Sequence, residues 1–287
     1  MVLFRRGIHF GSYGTVDDGP AVFDRLATAV RTAEAAGFDA VTVPDHVHQN
    51  QVAGGGPDSP MFDAYSLLGA LATLTTTVRL FALVSPVTLR HPGLLAKAVT
   101  TLDVLSRGRA VLGIGAGWDV AESEAYGISF PSAGERFDRL EEALAICDAL
   151  LTEGRATFTG KFYTVREARN SPRPVHAAVP VLVAGGGERR TLDLVARYGD
   201  ACNVLGADPV EVRHKFEVLD RHCGRVGRDP LEVTRTVFAF DTSDLGAFAA
   251  GARSWAAAGA DGAVVVGPED PERITALGEI LADAFPG

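Results

Sequence analysis

The sequence predicts an α/β fold in which eight βα units close into one (βα)8 barrel of the TIM type, spanning residues 1–287 as a single domain. Three observations carry this expectation. Short apolar runs alternate with amphipathic helical stretches from end to end. Several runs, among them Val181-Leu182-Val183 and Ala263-Val264-Val265-Val266, are continuously apolar, as parallel strands covered on both faces must be. No break in composition marks off a second unit, which favours a barrel over a doubly wound sheet with a separate domain. Pattern alone leaves an open eight-stranded sheet possible.

Strands are expected at Gly7–Phe10, Asp39–Pro44, Arg79–Val84, Arg109–Gly115, Val181–Gly185, Asp200–Val204, Val233–Phe240 and Gly262–Gly267. The first helix gathers Val22, Leu26, Val30 and Ala33 on one face and stops at Gly37. The third opens at Pro92 and carries Leu94, Leu95, Ala98, Val99 and Leu102. Capping patterns start two later helices, Ser132-x-x-Glu135 and Asp208-x-x-Glu211, the second with Pro209 at its first position. Asp270-Pro271 opens the last helix, where Ile274, Leu277 and Leu281 share a face. Residues 153–180 read as an insertion between the fourth helix and the fifth strand, with a small hairpin around Gly160 and then Pro172, Pro174 and Pro180. Asp45 to Pro60 is a long loop, loose enough to move, with Gly54-Gly55-Gly56-Pro57 at its middle. Long loops after strands one, two and four deepen the carboxyl end of the strands, where barrel chemistry sits.

Hydrophobic residues make up 47% and charged residues 22%, which excludes a disordered or fibrous chain. The net charge is −9, from 36 acidic against 27 basic residues, and the basic ones are scattered, so no nucleic-acid surface is expected. No apolar run suits a signal peptide or a membrane span of about 18 residues, which points to a soluble, cytoplasmic protein. Cys147, Cys202 and Cys223 are too few for a disulfide scaffold and too widely spaced for a zinc-type pair; reduced, buried thiols are expected.

Strand four places Gly113, Gly115 and Gly117 at alternate positions before Trp118. The side-chain-free stripe either leaves room for a flat ligand or marks close backbone packing or a bulge. It is not the dinucleotide fingerprint, because Trp118 occupies the last required glycine position. After strand five, Gly185-Gly186-Gly187 leads into a helix, so backbone N–H groups, Thr191 and either Arg189 or Arg190 read as a phosphate cradle; a plain strand-to-helix turn is the alternative. Asp45-His46 closes strand two, where a histidine is well placed for proton transfer. His9, His48 and Arg90-His91 are further candidates, and Glu122 and Glu124 either orient a ligand or cap a short helix. No metal-binding histidine motif is present, and no metal site is expected.

Taken in order, these residues resemble the bacterial luciferase-like superfamily, in its branch dependent on the deazaflavin coenzyme F420. The resemblance runs from Gly37-Phe38-Asp39-Ala40-Val41 through Pro44-Asp45-His46 and Arg90-His91-Pro92 to Thr101–Arg109, Leu112–Trp118, Glu122 and Gly127, with Gly259-Ala260-Asp261-Gly262 near the end. It implies a barrel holding a flavin or deazaflavin at its carboxyl end, usually as a homodimer. It also implies a non-proline cis peptide behind the ring at Leu83-Val84, phosphate binding at Gly185–Gly187, and His46 as the base when an alcohol is oxidised. In the sugar-phosphate-oxidising branch a glutamate follows the glycine motif; here Trp118 follows Gly117, which favours an apolar or aromatic substrate over a dianion.

The resulting expectation is an F420-dependent oxidoreductase moving hydride between cofactor C5 and a small organic substrate, with His46 oriented by Asp45. Leu83, Val84, Gly115, Gly117, Trp118, Gly185, Gly186, Gly187, Arg189 and Thr191 are expected around the cofactor. Two alternatives stand beside it: an FMN-dependent monooxygenase, and a non-catalytic flavin- or deazaflavin-binding protein.

Overall fold

The computed structural model describes residues 2–14, 19–50, 55–206 and 208–287. Its principal sheet contains β1 (Arg6–His9), β2 (Ala40–Val43), β3 (Arg79–Ala82), β4 (Ser85–Pro86), β5 (Leu112–Gly115), β8 (Val181–Ala184), β9 (Ala201–Leu205), β10 (Thr234–Ala239) and β11 (Gly262–Val266), with β6 (Arg155–Thr159) and β7 (Thr164–Arg169) forming a separate antiparallel hairpin. The order is β3-β2-β1-β11-β10-β9-β8-β5-β4, parallel throughout. Because β4 continues β3 across Leu83-Val84, and Leu80 also bridges Ala110 ahead of β5, the two ends of that order meet. The sheet is thus a barrel of eight staves, each overlapping one expected strand.

The helices are α1 (Gly19–Ala35), α2 (Ala64–Leu74), α3 (Pro92–Leu105), the short α4 (Val120–Ala125), α5 (Ala133–Thr152), α6 (Thr191–Tyr198), α7 (Pro209–Val226), α8 (Leu245–Ala257) and α9 (Pro271–Ala284). Val22, Leu26, Val30 and Ala33 are buried as their spacing requires, and Gly37 turns the chain at φ +83°. Leu94 departs from its expected place: it is 71% exposed, while Leu95, Val99 and Leu102 carry the buried face of α3. Ser132 and Asp208 cap α5 and α7, but neither capping pattern is reciprocal. The Glu135 carboxylate goes to Arg139 and that of Glu211 lies 3.8 Å from Lys215. No helix among the described residues is long and apolar enough to cross a membrane. All three cysteines are buried and unpaired, and burial pushes the Cys147 and Cys202 thiols up to about 12. The insertion contains the hairpin, turning where the Gly160 N–H donates to the Tyr163 carbonyl. Part of the expected 45–60 loop, including Gly54, lies outside the described residues.

One device recurs at the amino end of the staves. An aspartate just before a strand accepts from a backbone N–H of the neighbouring strand: Asp39 from Arg6, Asp200 from Val181, and Asp261 from Arg235. Each bond sets the register of one parallel pair. Leu3 donates to the Thr234 hydroxyl and accepts from Arg79, so the segment before β1 lies across this end, and the buried Phe4 packs on Phe81 inside the barrel. Arg109 spends its guanidinium on the carbonyls of Ala72, Thr75, Val78 and Ser106, covering the carboxyl end of α2. With the amino half filled, free volume is left at the opposite end.

Gly113 belongs to this packing. An ideal Cβ there would stand 2.0 Å from the Ala82 carbonyl oxygen, which is backbone and cannot swing aside. Gly113→Ala is therefore expected to destabilise the protein by about 3 kcal/mol, the upper part of the usual overpacking range, measured as a lower urea midpoint with unchanged slope. A shift below about 0.5 kcal/mol would show that the seam yields.

Candidate functional site

A cavity of about 730 Å³ opens at the carboxyl end of the staves, in the range of sites that take a cofactor together with a small substrate. Its wall includes Leu83 and Val84, joined by a cis peptide bond, and opposite them Gly115 and Gly117. Close backbone packing accounts for the glycine stripe at all three positions, and Gly115 and Gly117 also line the cavity: a Cβ on Gly117 would stand 3.0 Å from Pro86 Cβ. A Cβ on Gly115 would stand 2.8 Å from Val84 Cγ2, and Gly117 has φ +80°. Val84 thus packs directly on the Gly115 backbone, and the two together form a side-chain-poor stretch of the cavity wall.

Gly185, Gly186 and Gly187 form another part of the wall, with Gly185 at φ +124°. α6 begins at Thr191 without a side-chain cap, so its first N–H groups and the Thr191 hydroxyl border the glycines. A Cβ on Gly187 would fall 2.7 Å from Thr191 Oγ1 and fill this recess. Neither expected arginine lines this recess. Arg189 is exposed and outside the wall; Arg190 is paired 2.7 Å from Asp138 and lies over Phe137. The cation behind the cradle is Lys215 of α7, whose Cε is 3.7 Å from where a Gly186 Cβ would sit and whose Nζ contacts Glu188 at 2.8 Å.

His46 lines the cavity just beyond β2, and its imidazole stands edge-on to Trp118, centroids 5.5 Å apart. Its orienting partner is Glu122, with Nδ1 2.9 Å from Oε2, and not Asp45. Asp45 points the other way, where it accepts from Arg90 Nε and Nη2 at 2.7 Å each and from the Ser85 hydroxyl at 2.6 Å. This buried clamp ties the end of β2 to β4 and the start of α3. Nor is Glu122 the cap of α4: Asp119 is, accepting from the Glu122 N–H. The Glu122 carboxylate instead receives the Val47 N–H together with His46, so the loop after β2 is held against α4. His46, Asp119 and Glu122 bring ligand-type atoms within 4.8 Å of one another, joined by these hydrogen bonds. Burial opposes a charge on His46, but the hydrogen bond and charge of Glu122, with Asp119 and Asp45, outweigh it and raise the pKa above the usual histidine range. Burial likewise opposes the Glu122 charge, and His46 with the backbone N–H groups reverses that, holding the carboxylate low.

The luciferase-like monooxygenase family matches residues 3–250. The chain belongs to that family. An F420-dependent glucose-6-phosphate dehydrogenase from Beutenbergia cavernae is 34% identical over 269 residues, covering 92% of this chain and 76% of its own. Among solved structures, the F420-dependent tetrahydromethanopterin reductase from Methanopyrus kandleri superposes with a TM-score of 0.79 at 17% identity, covering 98% of this chain and 99% of its own. An F420-dependent secondary alcohol dehydrogenase in complex with an F420-acetone adduct gives a TM-score of 0.69 at 20% identity, covering 98% and 85%.

In this luciferase-like protein the cavity draws in residues that sequence reasoning passed over: Met61, Phe137, Asn203, Leu205, Phe238 and Phe240. Several stand at or just beyond strand ends, a positional signal that could have found them. His9, one of the further candidates, is in the wall; its Nδ1 is 2.8 Å from the Thr42 hydroxyl, and burial, aided by the nearby His46, drives its pKa down to about 3. His9 is thus neutral at any working pH. His91 only caps α3, and His48 bonds the Gln49 carbonyl. The Asp45 clamp is structural, so Arg90→Ala, which strands a buried carboxylate, is expected to cost about 3 kcal/mol. Thermal unfolding checks this: an unchanged midpoint would reject the clamp.

Proposed function

We propose that this chain is an F420-dependent oxidoreductase acting on a small organic substrate, with His46 carrying the proton and Glu122 positioning it. The observation that carries this is His46, held by the buried Glu122, on the wall of a cavity that also contains a side-chain-poor stretch and a glycine cradle. The F420-dependent relatives support the same cofactor. The side-chain-poor wall at Leu83, Val84, Gly115 and Gly117 fits the face of a planar tricyclic ring, and Gly185–Gly187 with Thr191 and Lys215 fits a phosphate. When bound, F420 donates or accepts hydride at ring carbon C5. Leu83, Val84, Gly115, Gly117 and Trp118 would position the ring, and the surrounding apolar wall would exclude water.

His46 Nδ1 is committed to Glu122, which leaves Nε2 to exchange a proton with a substrate oxygen. In oxidation the neutral imidazole takes the hydroxyl proton; in reduction the imidazolium returns it to the carbonyl oxygen. The raised pKa keeps the imidazolium populated to higher pH than an ordinary histidine would. The family resemblance supports a homodimer, the lack of any membrane-length apolar run supports a cytoplasmic protein without a membrane partner, and the scattered basic residues under a net charge of −9 support partners other than nucleic acid.

Titration with F420 and separately with FMN tests the cofactor: micromolar or tighter binding of F420 with negligible FMN binding is expected. Preference for FMN would move the protein to the oxygen-using branch, and binding of neither would sink the cradle. His46→Ala is expected to lose at least about a hundredfold in kcat while F420 still binds; an unchanged rate would fit a protein that needs no base. In the oxidative direction, kcat/KM should fall as pH drops through the raised His46 pKa. Glu122→Gln, which keeps a hydrogen-bond acceptor but removes the charge, should move that acid limb to lower pH. An unmoved limb in Glu122→Gln would place the titrating group elsewhere.

A further inference from the structure

We infer that the substrate is an uncharged apolar or aromatic ketone or secondary alcohol, and that the site rejects sugar phosphates; this rests on the F420 dependence proposed above. Three observations point the same way. Among the described residues no lysine or arginine lines the cavity, and residues 1, 15–18, 51–54 and 207, which lie outside the description, include none in the sequence. A phosphate dianion needs at least one such partner when taken out of water. The nearest cation behind the wall, Lys215, adjoins the cradle that the cofactor's own phosphate would use and is already shared between Glu188 and Glu211.

The charge around His46 is also wrong for an anion. Even as an imidazolium, His46 carries one positive charge, against Glu122 and Asp119 beside it and the field of Asp45 behind it. The other histidine in the wall, His9, is neutral. Asp45 is answered by Arg90, so the pair of Glu122 and Asp119 leaves the His46 side of the cavity net negative. A dianion approaching it would be repelled, whereas a neutral carbonyl would meet the proton donor alone.

Finally, the walls near the mouth are apolar side chains held out in solvent. Trp118, Leu205 and Phe240 line the cavity yet are 54%, 63% and 53% exposed. Tyr126, also exposed, reaches the Val47 carbonyl beside them. Large side chains left exposed around a cavity bury more apolar area against an apolar ligand than against a hydrated sugar phosphate. In the reaction the substrate carbon loses or gains hydride to or from the cofactor and its oxygen loses or gains the proton carried by His46, so a ketone and its secondary alcohol balance with no other reactant.

The chain has two tryptophans, and the second, Trp255, is buried with its indole N–H unpartnered. Trp255→Phe therefore removes no hydrogen bond and leaves Trp118 as the only indole reporter. F420 saturation is measured first, by the cofactor's own absorbance; failure there overturns the cofactor and leaves the wall to be tested on unloaded protein. The protein is then titrated with acetophenone and with glucose 6-phosphate, following indole fluorescence, and calorimetry on the unsubstituted protein repeats the comparison independently of the variant. The expected result is acetophenone binding at least tenfold tighter than glucose 6-phosphate, with the gap narrowing in Leu205→Lys. Glucose 6-phosphate binding as tightly as acetophenone, or no response to either, would overturn the inference.

Discussion

The seam where β4 meets β5 is the constraint on which the site depends. A barrel closes only if every neighbouring pair of staves approaches closely, and here the approach of the β3–β4 stave to β5 brings the Ala82 carbonyl into the space of the missing Gly113 side chain. One step further along, Val84 packs on Gly115 in the same way, so the seam also shapes that part of the cavity wall. The clamp of Asp45, Ser85 and Arg90 holds the β4 side of that seam, joining the end of β2 to β4 and the start of α3. A single region of backbone packing thereby fixes both the closure of the sheet and the shape of its open end.

Much of the fold was legible because parallel strands and amphipathic helices write their periods directly into the chain. The eight apolar runs were recoverable one by one, and the aspartates at 39, 200 and 261 sit where each run begins. Leu94 was misplaced because a helix face is a continuous angle and one position at its edge falls either way. In the site, His46 and the glycines were legible as residue types at strand ends. The partner of His46 was not. Asp45 was assigned to it by adjacency, yet neighbours along an extended segment project to opposite sides, so one facing the cavity sends the other away. Glu122 lies 76 positions further on, where the local pattern reads equally as a ligand-orienting carboxylate or a helix cap, so nothing in the sequence joins it to His46. The arginines after the glycines failed for a similar reason: Arg190 is captured by Asp138 on the outer helix layer, and the cation that does stand behind the cradle comes from another helix.

The two cavity histidines show how burial and neighbouring charge give one residue type two characters. His9, sealed beside Thr42 and near another basic ring, is locked in the neutral form and offers a fixed dipole. His46, less enclosed and faced by carboxylates, holds its proton more tightly than usual. Only the second can serve as a reversible proton carrier near neutrality, and the low affinity of the first for protons ensures that the two do not compete.

The strand-start aspartates lie at the end of the barrel remote from all of this. Each locks one register with a carboxylate, independently of any loop at the far rim. The chain is in effect divided into a foundation and a superstructure that share strands but few contacts. Such a layout lets substitutions accumulate among Trp118, Leu205 and Phe240, changing which molecules are accepted, while the register that keeps the staves aligned is inherited untouched. Diversification of chemistry on this scaffold is thus a property of its two-ended construction and not of any one residue in the pocket.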